Sequence, residues 1–128
     1  MRKETLRLWQ QALHDLDTGE KLLGIGTYYA SVFFAEQAAE MALKALHIEK
    51  RRKMEFTHDL TEIAHALDAP GEIARAAAEL SPDYVTTRYP NAANAVPAKL
   101  YDARSAKQHL VYGRRVVQWV RKELGSKG

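Results

Sequence analysis

Tyr28-Tyr29-Ala30-Ser31-Val32-Phe33-Phe34-Ala35-Glu36-Gln37-Ala38-Ala39-Glu40-Met41-Ala42-Leu43-Lys44-Ala45-Leu46-His47-Ile48 is the stretch whose reading decides the fold. It is apolar nearly all round, a pattern that a helix keeps only when neighbours cover it on several sides. The spacing predicts a central helix from about Thr27 to Arg52. Its many alanines let neighbouring backbones come close. The polar exceptions Glu36, Gln37, Glu40, Lys44 and His47 recur at spacings of three and four, so they form one narrow stripe.

Upstream, Leu6, Trp9, Leu13, Leu16 and Leu23 recur at helical spacing between polar residues, predicting an amphipathic helix over Thr5 to Leu23. Gly24-Ile25-Gly26 ends it, because glycine loses the most backbone entropy in a helix and suits a C-terminal cap. Downstream, Phe56-Thr57-His58-Asp59-Leu60 announces a third helix, with Thr57 as the expected N-cap and Leu60, Ile63, Ala64 and Leu67 inward. Asp68-Ala69-Pro70-Gly71 stops it, and a short helix over Glu72 to Leu80 follows. From Ser81 to Pro97 no period is sustained; Ser81-Pro82-Asp83 can cap one helical turn before Arg88. The last helix, from about Ala98 to Leu124, carries a single seam of Ala103, Ala106, Leu110, Gly113, Val117, Val120 and Leu124. No run reads as a strand. Three long helices and two short ones with brief connections predict an all-α, up-and-down bundle of four or five helices, one domain spanning residues 1–128.

With 46% hydrophobic and 27% charged residues, the chain carries enough apolar side chains to fold as a globular unit. It has no cysteine, which excludes disulfides and thiolate metal sites. No apolar signal core or membrane-length run is present, so a cytoplasmic location is expected. The net charge of +3 permits an anionic partner without demanding one.

Four constellations can carry chemistry. Glu40 and Lys44 stand four residues apart on the most apolar helix, where charge is either paired internally or turned to a cleft. His58-Asp59 opens a helix; His47, His58 and His65 share no ligand spacing, so no metal site is expected. Arg88-Tyr89-Pro90 is held extended by its proline, and an arginine fork beside Tyr84 and Tyr89 can clamp phosphate and stack a base. The competing reading has Arg88 salt-bridging a carboxylate such as Glu40. The basic run Lys50-Arg51-Arg52-Lys53 ends the central helix, as a solvated C-terminus or as a contact for RNA.

In order, Gln37-x-x-Glu40-x-x-x-Lys44, Thr57-His58-Asp59-Leu60, Arg88-Tyr89-Pro90 and a terminal segment with Tyr101 and Ala106 resemble the HEPN domain family over nearly the whole chain. The resemblance implies a five-helix bundle, similar to the helical domain that follows some antibiotic nucleotidyltransferases. It also implies a homodimer, a minimal nucleotidyltransferase as partner in a toxin–antitoxin-like system, and a nucleotide as ligand with no resident cofactor. The matching polar positions, expected to bind the nucleotide or phosphate, are Glu40, Lys44, His58, Arg88 and Tyr89.

Some members of that family are ribonuclease toxins bearing Arg-x(4–6)-His, whose chemistry needs a base for the 2′-hydroxyl and a cation for the phosphate. Counted from Arg88, the histidine's place is taken by Ala93, Asn94 and Ala95, so the leading expectation is a non-catalytic module. The spacing recurs from Arg7 to His14, from Arg51 and Arg52 to His58, and from Arg104 to His109, as ten arginines and five histidines make unsurprising; Arg104 and His109 form with Arg88 the alternative catalytic set. Five residues along a helix is about 140° around it, so Arg104 and His109 are not expected to converge.

Overall fold

The alanine-rich stretch becomes α2 (Tyr28–Arg51), and the rest of the chain is arranged to cover it. The computed structural model describes residues 1–125. α1 (Lys3–Gly24) runs back along one side of α2, and α8 (Ala103–Gly125) lies along another. α3 (Leu60–Ala66) and α4 (Gly71–Leu80) close the remaining side. Three single turns follow: α5 (Asp83–Thr86), α6 (Pro90–Ala93) and α7 (Pro97–Leu100). Among the described residues there is no strand, and no helix is long and apolar enough to cross a membrane. The molecule is an all-α bundle, as the periodicity predicts.

Close approach sets the geometry. Ser31 Oγ donates to the Gly19 carbonyl at 2.7 Å, tying the backbone of α1 directly to α2. A Cβ at Gly113 of α8 would stand 3.0 Å from the Ala35 carbonyl oxygen. This tightness corrects the reading of α1. Its fully covered line is Thr5, Ala12, Asp15 and Gly19, whereas Trp9, Leu13, Leu16 and Leu23 pack from the flanks and Leu6 is exposed. The contact line between two such close helices has room only for small side chains, so the large ones straddle it. The seam of α8 matches expectation, with Val116 added and Ala103 only half-buried.

Two helix starts also differ from the sequence reading. α3 is capped by Asp59, whose side chain accepts from the Thr61 and Glu62 amides; Thr57 Oγ1 instead accepts from the Asp59 amide at 3.1 Å. α8 starts at Ala103 rather than Ala98. Asp102 Oδ1 accepts the Ser105 amide at 2.8 Å while Ser105 Oγ accepts the Asp102 amide at 3.0 Å, a reciprocal capping box. These bonds hold the Asp102 carboxyl below its ordinary range.

Gly113→Val should therefore lower stability by about 1–3 kcal/mol in urea denaturation, because neither backbone can withdraw. Gly24→Ala, where a Cβ meets open space, should be neutral or mildly stabilising. Equal effects at the two positions would contradict the close-approach account.

Candidate functional site

Glu40, placed mid-way along α2, is 1% exposed, and its Oε2 takes two partners. Lys44 Nζ, one turn on, donates at 2.9 Å, and His58 Nδ1 lies at 2.8 Å. The His58 ring stacks on Tyr84 of α5, with centroids 4.0 Å apart and planes 11° from parallel. Over Tyr84, at 4.7 Å, sits the Arg88 guanidinium, which also faces Phe33 at 5.3 Å and Tyr89 at 5.6 Å. The five polar residues expected to form a phosphate site are thus brought into one contiguous group, with Arg88 and Tyr89 exposed. Arg88 does not salt-bridge Glu40. That carboxylate is held by Lys44 and His58, and the arginine is held by rings.

A second group lies on the other side of α5. Asp83 is 4% exposed; its Oδ1 accepts from the Tyr101 hydroxyl at 3.0 Å, and its Oδ2 pairs with His109 Nδ1. Tyr101 shares a 2.6 Å hydrogen bond with Thr86 Oγ1. Burial, aided by the Asp83 charge, pushes the Tyr101 phenol up to about 12, so it stays protonated and donates. With Nδ1 engaged, Nε2 is the free nitrogen of His109. Arg104 and His109 line the same open depression of about 390 Å³, alongside Asp102, Ser105 and Gln108. Arg104 occupies the first turn of α8, and His109 stands five residues further along the same helix. The register counted from Arg88 leads elsewhere, into α6 and its left-handed cap Asn94.

Between the two groups stands Glu36, fully buried. Its Oε1 accepts from Gln37 Nε2 at 2.7 Å, and its Oε2 has no hydrogen-bond partner. Burial first, then the Glu40 carboxylate, with a smaller contribution from Asp83, push Glu36 up to about 9, so it carries a proton at neutral pH. Sequence reading missed Asp83 and Tyr101 as site residues and gave Glu36 no role. The usable signals were an acid set between prolines and a third carboxylate on an apolar helix.

A model of the HEPN domain matches residues 5–123. The chain belongs to the HEPN domain family. The crystal structure of TT1696 from Thermus thermophilus superposes with a TM-score of 0.87 at 30% identity, covering 94% of this chain and 98% of that one. The crystal structure of ST0689, an archaeal HEPN homologue, superposes with a TM-score of 0.77 at 26% identity, covering 96% and 98%. No curated protein matches the sequence.

Glu36 yields a pH prediction. Its folded-state pKa lies above its unfolded value, so its contribution to stability is complete below about pH 4.5 and is lost as pH rises toward about 9. Glu36→Gln should remove that loss. The stability gap between variant and wild type should widen in the variant's favour from pH 5 to pH 8, by about 1 kcal/mol per unit. A gap that stays flat over this range would contradict a buried, protonated Glu36.

Proposed function

We propose that this HEPN domain is an RNA-cleaving toxin, acting as a homodimer and paired with a minimal nucleotidyltransferase as its neutralising partner. One observation carries the catalytic reading: the His109 imidazole is tied through Nδ1 to buried Asp83 and lines, with Arg104, an open depression. This favours the ribonuclease over the non-catalytic module, because the imidazole is backed by a buried carboxylate that holds no other cation and shares an open depression with an arginine.

The chemistry follows from the roles. His109 Nε2 takes the proton of a ribose 2′-hydroxyl, and the 2′-oxygen attacks the adjacent phosphorus. The bond from phosphorus to the 5′-oxygen breaks, and that oxygen leaves with a proton returned from the imidazolium. The products are a 2′,3′-cyclic phosphate and a 5′-hydroxyl end. Arg104 bears the charge that grows on the phosphate oxygens. Asp83 holds the tautomer with Nδ1–H and stabilises the imidazolium formed midway, while Tyr101 fixes the carboxylate. The Arg88, Tyr84 and Tyr89 cluster offers a cation over rings, suited to a neighbouring phosphate and its base. The same cluster is the natural place for a nucleotide ligand. The partner, the dimer and a cytoplasmic location rest on the family resemblance.

Purified protein should cleave single-stranded RNA to cyclic-phosphate ends. His109→Ala and Arg104→Ala should each reduce the rate by at least about a hundredfold while far-UV circular dichroism is unchanged. Expression of the wild type alone should arrest growth, and co-expression of the nucleotidyltransferase should restore it. Absence of cleavage by excess wild-type protein, or full activity in His109→Ala, would defeat the reading.

A further inference from the structure

A further polar constellation lies at the end of the bundle where α1 begins and α2 stops. An open cavity of about 440 Å³ is enclosed there. Its rim carries four cations, Arg2, Arg7, Arg52 and Lys53, against one carboxylate, Glu4. Its floor is apolar, made by Leu8, Ile48 and Met54. None of the four cations has an ion-pair partner among the described residues. The contrast with their neighbours is informative. In the run 50–53, Lys50 pairs with Glu123, and Arg51 donates to the Ala66 carbonyl at 2.9 Å and reaches Asp68. The other two members of the run, left without such partners, are the two that face the cavity.

The backbone is built to hold them there. Arg52 closes α2 in the left-handed region, at φ 57, a conformation disfavoured for a residue with a Cβ. The next carbonyl, that of Lys53, is gripped by Nδ1–H of buried His47 at 2.7 Å. Glu49 accepts from the Arg2 amide at 3.2 Å and from Thr5 Oγ1 at 2.9 Å, pinning the start of α1 against α2.

We infer that this cavity is a binding site for a nucleotide 5′-phosphate. Three guanidinium forks and an ammonium match a multiply charged phosphate better than a single carboxylate. An apolar floor of three side chains is idle under a bare phosphate but covers a base or sugar. The volume falls in the range of roughly 300–1,000 Å³ common to small-molecule sites. Glu4 sets a limit, since its carboxylate repels an anion from its own part of the rim. The same chemistry is presented by a free nucleotide and by the 5′ end of an RNA strand. The inference does not rest on the ribonuclease reading, because it shares no residue with His109, Arg104 or the Arg88 cluster.

Calorimetric titration distinguishes the sources, using ATP and AMP, adenosine, and a non-cleavable 2′-O-methyl RNA tetramer with and without a 5′-phosphate. At least one phosphorylated probe should bind, and its unphosphorylated twin should bind at least about tenfold more weakly. The double variant Arg7→Ala, Arg52→Gly, whose glycine keeps the left-handed turn, should lose about tenfold or more in affinity. Should that variant fail to fold, Lys53→Glu on the exposed rim should give a similar loss. Arg75→Ala, at an exposed arginine outside the cavity, should bind the probe as the wild type does. Binding of ATP or AMP identifies a free nucleotide, and binding of the phosphorylated tetramer alone identifies an RNA end. The inference is overturned if no phosphorylated probe binds, if the rim variants bind normally, or if Arg88→Ala is the variant that loses the probe.

Discussion

A carboxylate sealed inside an alanine-rich helix contact must be answered by cations, and the answer given to Glu40 organises one whole side of this molecule. An unpaired buried charge costs several kcal/mol, so Oε2 recruits both Lys44 and His58. Lys44 comes from the same helix and merely neutralises. His58 comes from the segment between α2 and α3, so its bond also fixes where that segment passes. The ring it presents becomes the platform for Tyr84, and Tyr84 in turn carries Arg88. The exposed arginine is therefore set by a chain of contacts that begins in the core. Loss of Glu40 would release every later member of it.

The close packing that makes α2 central also explains the state of Glu36. Ala35, Ala38 and Ala39 are fully buried beside it, and Gln37 satisfies only one of its two oxygens. A third negative charge between Glu40 and Asp83 would find no counter-ion there, so the side chain keeps its proton instead. A leucine at this position would pack with less penalty. Native cores depart from such economy mainly where a function is served, and Glu36 stands between the two imidazole–carboxylate pairs.

The long helices were legible because burial on a helix is written as a period, and the period survives in Ala106, Leu110, Gly113, Val117, Val120 and Leu124. The break at Gly24-Ile25-Gly26 was legible because left-handed backbone favours glycine, and Gly26 adopts it at φ 80. What could not be read was set by distances between helices rather than by spacing along them. The leucines of α1 look like its inward face until the separation of α1 and α2 is known, and then Ala12 and Gly19 prove to be that face. Which of Thr57 and Asp59 caps α3 depends on Ser81, which arrives from the far end of α4 and donates to Asp59 at 3.2 Å. Of the site, the grouping of Glu40, Lys44, His58 and Arg88 was visible as a set of residue types. Asp83 behind His109 was not, because the two lie 26 positions apart and the stretch from Ser81 to Pro97 that begins the interval sustains no period.

The two imidazole–carboxylate pairs are not equivalent, and the difference points to which histidine can act as a base. Glu40 already holds the Lys44 ammonium, so its charge is matched before His58 is counted. Asp83 receives only the neutral hydroxyl of Tyr101 besides His109, so its charge remains available to an imidazolium. On the ribonuclease reading this asymmetry assigns the work: His109 is backed by a buried carboxylate that holds no other cation, whereas His58 holds its stacked tyrosine in place. Exposure follows the same division, with the His58 side chain 49% open and His109 at 18%, a depth at which the pull of Asp83 is less screened by water.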